Sequence, residues 1–271
     1  MQISINAGTF PADLDAEALA RAAAGAGFEA VELTMGREGL LTTQTPQEQC
    51  RQIAKAFADA GLRVASLATA LFWQFHYAHE NPTVRQQAKE LTRIGLDRAA
   101  WLGADALLVV PAVVGRWNDP TPQVAYADAL DRSLDMLSRL AGEAEDRAVH
   151  IAIENVWNRF LMSPVEMREL IDTVNSPWVG ACFDIGNAMA LGYPQDWIRT
   201  LGRRIVRVHA KDYDLDRPGL PGFGCALGEG SVRWPEVAAA LRDVGYQGPV
   251  TYEGPGEPAE IARRLRRVLN G

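Results

Sequence analysis

The sequence is poor in the features that would indicate a disulfide framework or a membrane span. Its three cysteines, Cys50, Cys182 and Cys225, are widely spaced and form no CxxC pair, so we expect reduced thiols. No window approaches the roughly 18 continuous apolar residues that a membrane helix needs. The start, MQISINAGTF, has neither a basic segment nor a long apolar stretch. We therefore expect no secretory signal and a cytoplasmic location.

Positive charge is also scarce. The chain has 27 basic and 34 acidic residues, a net charge of −7, and no basic run. Because neutralisation of phosphates supplies most of the affinity for nucleic acids, we expect no nucleic-acid partner, and we expect no membrane partner either. The length of 271 residues and the 48% hydrophobic content are typical of a globular protein with a large core.

Strand-like and helix-like patterns alternate along the whole chain. The apolar or β-branched runs that predict strands are 2–5, 30–34, 63–69, 105–111, 149–154, 179–184, 205–211 and 249–253. The intervening stretches that predict helices are 15–27, 46–61, 82–103, 122–147, 163–174, 194–202, 231–245 and 257–270. Eight successive βα units predict an α/β fold, a single (β/α)8 TIM barrel that spans 1–271 as one domain. A doubly wound open sheet is the alternative.

Four of the predicted strands end in a residue that can bind a metal ion. These residues are Glu154, Asp184, His209 and Glu253. The carboxyl ends of the strands of a parallel barrel meet at one mouth, so the four side chains should converge there. Three carboxylates and one imidazole suit Mn, Mg, Co or Zn, and we expect one divalent ion per chain. The alternative is an ion-pair network with Arg207 or Lys211, because buried charges are costly unless they are paired or metal-bound.

The same four residues suit proton transfer next to a carbonyl group. A bound metal would polarise the carbonyl and stabilise an enediolate, while one carboxylate removes a proton and a second returns it. Glu154 and Glu253 end the fifth and eighth predicted strands, where they could flank a bound ketose. Both could act as a metal ligand and as an acid or base in turn.

Further residues near the mouth could contact a substrate. Lys211, two residues beyond His209, could bind a substrate oxygen or phosphate, or could pair with Asp212 or Glu253. The glycine-rich stretch 217–230 could cradle a phosphate through its backbone amides, or could simply cover the mouth.

Aromatic side chains crowd the loop after the third predicted strand. Trp73 and His76 in this loop could form a wall of a sugar pocket, since such pockets are largely apolar with a few polar groups. A subunit contact is the alternative for this loop. We predict that Trp73 and His76 touch the substrate.

Several motifs together resemble one known family. The segments IENVWNRFLMSP, FDIGN, VHAKDYD with the later LGEGSVRWPEV, and TYEGP are similar to the xylose isomerase-like barrels, the sugar phosphate isomerases and epimerases. That group includes ketose 3-epimerases, L-xylulose-5-phosphate 3-epimerase and hydroxypyruvate isomerase. The resemblance covers essentially the whole chain. It implies metal ligation by Glu154, Asp184, His209 and Glu253, acid/base roles for the two glutamates, and a homodimer or homotetramer.

Two positions depart from the pattern of the free-ketose epimerases in that group. Where those enzymes have a histidine three residues after the aspartate of the sixth strand, this chain has Asn187. An asparagine can hydrogen-bond a hydroxyl group or a metal-bound water but cannot supply a cation, which argues against tagatose- or psicose-type specificity. Those enzymes also have a substrate-contacting arginine shortly after the histidine of the seventh strand. Arg217 is the nearest candidate, at a longer spacing.

We predict a divalent-metal-dependent isomerase or epimerase of a ketose or ketose phosphate, acting by proton transfer through a metal-stabilised cis-enediolate. Its partner would be a small-molecule sugar or sugar phosphate. One alternative is an inosose-type dehydratase on the same barrel. A zinc nuclease resembling endonuclease IV would need more histidines than the four in this chain. A non-catalytic sugar-binding barrel would not need two carboxylates beside the metal.

Overall fold

Eight parallel strands form the centre of the molecule and close into a barrel in sequence order, with β8 hydrogen-bonded to β1. The computed structural model describes residues 1–270. The strands are β1 (Ile3–Asn6), β2 (Ala30–Thr34), β3 (Arg63–Ala68), β4 (Ala106–Val109), β5 (His150–Glu154), β6 (Val179–Asp184), β7 (Ile205–Ala210) and β8 (Val250–Tyr252). The predicted (β/α)8 TIM barrel is confirmed, and the open sheet is excluded.

Nine α-helices lie among the described residues, one more than the sequence predicts. They are α1 (Ala16–Ala26), α2 (Gln47–Asp59), α3 (Pro82–Leu102), α4 (Tyr126–Arg147), α5 (Pro164–Val174), α6 (Ile185–Met189), α7 (Pro194–Leu201), α8 (Trp234–Asp243) and α9 (Pro258–Asn270). The additional helix, α6, follows β6 without a loop. None of the helices in residues 1–270 is long and apolar enough to cross a membrane.

Local sequence signals determine several helix ends. Ser163 and Glu166 form the capping box that starts α5, each side chain bonding the backbone N–H of the other residue. Gly27 and Gly103 end α1 and α3 in the left-handed conformation, at φ values of 95° and 73°. The two helices that begin several residues later than predicted, α4 at Tyr126 instead of 122 and α8 at Trp234 instead of 231, are preceded by irregular backbone.

The barrel interior changes from polar through small and apolar to charged along its axis. At the amino end of the strands, the buried Arg207 guanidinium donates to the Ala65 carbonyl at 2.8 Å and pairs with Asp105. A small apolar layer follows, formed by Ala106, Leu108, Ala152 and Cys182. The predicted ligands lie above this layer, with Asp184 paired in register with His209. The apolar layer therefore separates the Arg207 ion pair at one end of the barrel from the candidate ligands at the other.

One close helix–strand contact predicts a stability difference. Gly95 of α3 packs on Leu107 of β4, and an added Cβ would lie 2.8 Å from both Leu107 methyl groups. Leu107 is fully buried and cannot move aside freely. We expect Gly95→Ala to lower the free energy of unfolding by about 1–3 kcal/mol in urea denaturation, because overpacking outweighs the gain in helix propensity.

Gly142 is the matched control for this prediction. It lies on the exposed face of α4, and nothing is within 4 Å of an added Cβ. Gly142→Ala should raise the free energy of unfolding by about 0.5–1 kcal/mol through helix propensity alone. Equal stabilisation by both substitutions would contradict the packing argument.

Candidate active site

The four predicted metal ligands converge at the mouth of the barrel. One ligand atom from each of Glu154, Asp184, His209 and Glu253 lies within 4.8 Å of the other three. The first three belong to β5, β6 and β7, and Glu253 follows β8 directly. Neighbouring parallel strands thus bring together residues that are up to 99 positions apart in the sequence (253 − 154).

The imidazole of His209 is oriented for ligation through Nδ1. Its Nε2 lies 3.0 and 3.1 Å from the two carboxylate oxygens of Glu32. Its Nδ1 is buried and has no hydrogen-bond partner. This atom faces three carboxylate oxygens, at 3.3 Å from Glu154, 3.6 Å from Glu253 and 3.8 Å from Asp184. A histidine held by a carboxylate at one nitrogen and open at the other is the usual arrangement of a metal-binding imidazole.

Glu32 holds this imidazole from inside the barrel. Its carboxylate is fully buried and accepts hydrogen bonds from Asn6 Nδ2 and Ser66 Oγ, both at 2.7 Å. Burial alone would raise the pKa of Glu32, but His209 and these two donors lower it overall. Glu32 therefore remains an acceptor, and it favours the tautomer of His209 that has its hydrogen on Nε2.

Lys211 is the nearest ammonium group to this cluster. Its Nζ lies 2.6 Å from Glu253 Oε2 and 2.9 Å from Asp184 Oδ2. Of the two pairing partners considered for Lys211, it contacts Glu253 rather than Asp212. Burial opposes the charge on Lys211, but the carboxylates of Asp184 and Glu253 raise its pKa overall.

The carboxylates respond differently to this crowding. Burial raises the pKa of Glu154 and of Asp184. Burial would also raise the pKa of Glu253, but Lys211 and His209 beside it lower it well below its usual range. The cluster thus holds more negative charge than its neighbours compensate. The donor set, the unpaired Nδ1 of His209 and this charge all fit a divalent cation.

Asn155 braces the cluster, a role that the sequence analysis missed. Its side chain exchanges two hydrogen bonds with the backbone of Asp184, at 2.7 and 2.9 Å. Asn187 in turn donates its side-chain amide to the Asn155 carbonyl at 2.9 Å, and its backbone N–H to Asp184 Oδ1 at 2.7 Å. The sequence signal for this role was the polar side chain of Asn155, directly after the candidate ligand Glu154.

Asp212 organises the long loop between β7 and α8. This buried carboxylate accepts four N–H groups at 2.7–3.2 Å, those of Tyr213, Gly228, Val232 and the Trp234 indole. The amides of Gly219 and Gly222 are also bonded within the loop, to the Tyr213 hydroxyl and the Gly219 carbonyl. These two amides are therefore not free to cradle a phosphate, while Leu220 and Phe223 of the same loop line the cavity at the mouth.

A cavity of about 530 Å³ opens at the mouth of the barrel, with two of the four predicted ligands, Glu154 and Glu253, in its lining. Its wall includes three predicted substrate contacts, Trp73, Asn187 and Lys211, together with Glu154 and Glu253. Residues that were not proposed as substrate contacts complete it, and these are Arg116, Trp117, Asn118, Val156, Trp157, Leu220 and Phe223. The reaction cavity, as we call it, is therefore polar at its floor and largely aromatic at its sides.

The structure places the other two predicted contacts outside the lining of the reaction cavity. His76 is 1% exposed, and neither of its ring nitrogens has a hydrogen-bond partner. Its side chain points into the loop after β3, next to His79. Arg217 is exposed on the loop after β7. Substrate contact by His76 or Arg217 would require these loops to move.

The closed parallel barrel and the ligand cluster at its mouth define a class of protein, and the comparison with known families agrees. A model of the xylose isomerase-like TIM barrel family matches residues 20–270. The chain belongs to this family.

Individual proteins in the comparison show which enzymes the chain is similar to. L-ribulose-5-phosphate 3-epimerase UlaE of Salmonella paratyphi C is 29% identical over 239 residues, covering 86% of this chain and 80% of the relative. An uncharacterized protein of Methanocaldococcus jannaschii is 28% identical over 213 residues, covering 74% and 70%. A crystal structure of D-psicose 3-epimerase determined in the presence of D-fructose has a TM-score of 0.81 at 19% identity over the full length of both chains, which shows the shared fold.

The contact between Glu32 and His209 predicts an effect on metal affinity. Glu32→Gln keeps the size of the side chain but introduces an N–H that competes for Nε2 and favours the tautomer with its hydrogen on Nδ1. We expect manganese or zinc affinity, measured by titration calorimetry, to fall about 10–100-fold.

Ser66→Ala is the matched control, because it removes one hydrogen bond to Glu32 but leaves the contact with His209 intact. Its metal affinity should change only a few-fold. Unchanged affinity in Glu32→Gln would show that this contact does not orient the imidazole.

The burial of His76 predicts a pH dependence of stability. Burial and the neighbouring His79 lower the pKa of His76 from 6.5 to about 4. The unfolded chain therefore binds this proton at a higher pH than the native protein, and the native state loses stability as the pH falls from 6.5 towards 4. Between pH 7.5 and 5, wild type should lose about 2 kcal/mol more than His76→Leu in urea denaturation. Parallel curves for the two proteins would contradict the prediction.

Proposed function

We propose that this protein is a divalent-metal-dependent epimerase of a ketose or a ketose phosphate. One observation carries the proposal: Glu154 and Glu253 both line the reaction cavity, and both lie beside the unpaired Nδ1 of His209. Two carboxylates at one site provide both a proton acceptor and a proton donor, which inversion of a carbon next to a carbonyl requires.

The cofactor in this proposal is one Mn, Mg, Co or Zn ion per chain. Glu154, Asp184, His209 and Glu253 would hold it. When bound, such an ion supplies a Lewis acid that polarises the substrate carbonyl. Asn155 and Glu32 would keep the ligands in place, the former through the backbone of Asp184 and the latter through Nε2 of His209.

The two glutamates would divide the proton transfer between them. One carboxylate takes the proton from the carbon beside the carbonyl, and the electrons of the broken C–H bond move towards the carbonyl oxygen. The other carboxyl group then delivers a proton to the opposite face of the same carbon. The product differs from the substrate only in configuration, and no co-reactant is consumed.

The reaction cavity is suitable for a sugar in size and lining. Its volume of about 530 Å³ lies in the range of small-molecule sites. Trp73, Trp157 and Phe223 would exclude water from the reacting carbon, and Asn187 and Lys211 would bind substrate oxygens. For His76 and Arg217, substrate contact stays a prediction.

The relatives support this reaction over the alternatives. The name of the Salmonella relative specifies a ketose phosphate and inversion at carbon 3, and we propose the same reaction class here. Among the described residues, His209 is the one histidine in the ligand cluster, which argues against a three-zinc nuclease. No feature of the site favours the inosose-type dehydratase. Cytoplasmic location and a homodimer or homotetramer stay predictions.

Substitution of either glutamate tests the acid/base assignment. We expect Glu154→Gln and Glu253→Gln each to lower kcat by about 10²–10⁴-fold, because the amide cannot transfer the proton. The measurement is deuterium incorporation at carbon 3, followed by NMR with manganese-loaded protein and a panel of pentuloses, hexuloses and their phosphates.

Glu145→Gln, on the exposed surface of α4, is the control and should keep wild-type rates. Metal content is measured on every variant, so that loss of the ion is distinguished from loss of proton transfer. Near-normal exchange in either substituted enzyme would rule out the assigned acid/base role of that glutamate.

A further inference from the structure

A second cavity lies next to the reaction cavity and is not used by the proposed proton transfer. Its volume is about 390 Å³, and it shares Trp117, Val156 and Trp157 with the reaction cavity. We call it the annex cavity. Its remaining lining consists of Arg159, Met162, Ala190, Leu191, Tyr213 and Gly219.

The annex cavity exposes large apolar side chains. Trp117, Met162 and Leu191 are 41%, 50% and 55% exposed, respectively. Soluble proteins rarely expose apolar groups clustered in a concave site unless something binds there. Because the annex cavity adjoins the reaction cavity and three residues line both, an extension of the substrate is the occupant that the geometry favours.

Trp157 forms the common wall of the two cavities and is held rigidly. Its indole Nε1 donates to the Asn187 carbonyl at 3.2 Å, so its polar edge is already satisfied. Its ring packs against Phe223, Tyr213 and Trp117, with centroids 4.9, 5.6 and 6.0 Å away. The surface that remains for a ligand is apolar and aromatic.

The loop beneath the annex cavity is strained and firmly held. Arg159 and Leu161 have left-handed backbone conformations, with φ values of 57° and 52°, although neither is glycine. Such conformations cost about 1–3 kcal/mol each and tend to occur at binding sites. Asn158 fixes the loop, because its buried side chain donates to the Ala112 carbonyl and accepts from the Phe160 N–H.

The charged side chain that lines the annex cavity is hydrogen-bonded to the backbone of a neighbouring loop. The single cationic side chain among the lining residues is Arg159, whose Nε and Nη2 donate to the backbone carbonyls of Arg116 and Trp117 at 3.1 and 3.4 Å. These two bonds hold the guanidinium against the loop backbone. Because every other lining side chain is uncharged and most are apolar, we expect an uncharged occupant rather than a phosphate.

We propose that the annex cavity binds an aromatic ring carried by the sugar, so that the protein acts on an aryl-substituted keto sugar rather than on a bare ketose. An apolar cavity of about 150 Å³ already holds benzene, so the annex cavity has room for one or two rings. The proposal rests on the proposed function only in assigning the sugar portion to the reaction cavity. Trp157 and Trp117 would contact both portions.

The test compares the binding of matched ketose ethers, which keep the carbonyl group that the proposal requires. The 6-O-phenyl and 6-O-methyl ethers of fructose and psicose are titrated into manganese-loaded protein by calorimetry. We expect a phenyl ether to bind at least about tenfold more tightly than its methyl partner, because the ring leaves water. Leu191→Asp places a charge in the annex cavity and should reduce this preference to about twofold or less, with methyl ether affinity unchanged.

Leu215→Asp is the matched control, because Leu215 is 49% exposed but lines neither cavity, and it should keep the preference. Met162→Gln provides a second annex variant, and thermal unfolding confirms that each variant is folded.

Absence of a phenyl preference in wild type, or its retention in both annex variants, overturns the proposal. Another result would also overturn it: Leu191→Asp converts an oligomer to monomers and leaves the preference intact. The apolar surface would then be a subunit contact. Failure of carbon-3 exchange in the phenyl ethers, together with a normal phenyl preference, would instead refute the epimerase assignment alone.

Discussion

Repulsion among four clustered carboxylates, two of them fully buried, is the constraint on which the site depends. Glu32, Glu154, Asp184 and Glu253 surround a single imidazole, and Lys211 is the one ammonium group in contact with the cluster among the described residues. Such a concentration of like charge at the end of a barrel is unfavourable unless a cation binds or protons are retained. The fold supports it because backbone hydrogen bonds hold every strand in register, so the side chains cannot separate.

The contact between Glu32 and His209 also joins the two halves of the barrel. Three of the four candidate ligands lie on β5, β6 and β7, and Glu253 directly follows β8. Glu32 and the two groups that hold it, Asn6 and Ser66, lie on β1 to β3. The first half therefore orients the imidazole that the second half supplies. The pairing of β8 with β1 closes the barrel and fixes this relation, which explains why a complete barrel is needed to position one histidine.

The strands and the candidate ligands were predictable from the sequence, because the side chains of a strand point alternately into and out of the barrel. A residue at the end of a predicted inward-facing series must lie at the mouth, and Glu154, Asp184 and His209 do. The short helix α6 was missed because β6 runs into it without a turn signal. The burial of His76 was also missed, since no periodic pattern determines which way a loop folds. The bracing by Asn155 depends on the distance between β5 and β6, which only the folded chain provides.

Asp212 holds the loop after β7 in place, so that the loop can differ in shape without moving the end of the strand. Its four N–H donors fix both ends of the loop next to β7, while the segment around Leu220 and Phe223 lies over the reaction cavity. Changes in length or composition between these fixed ends would alter the cover without displacing His209. For protein engineering, the segment between these fixed ends is therefore the part of the chain where the lining of the reaction cavity can be redesigned while the end of β7 stays in place.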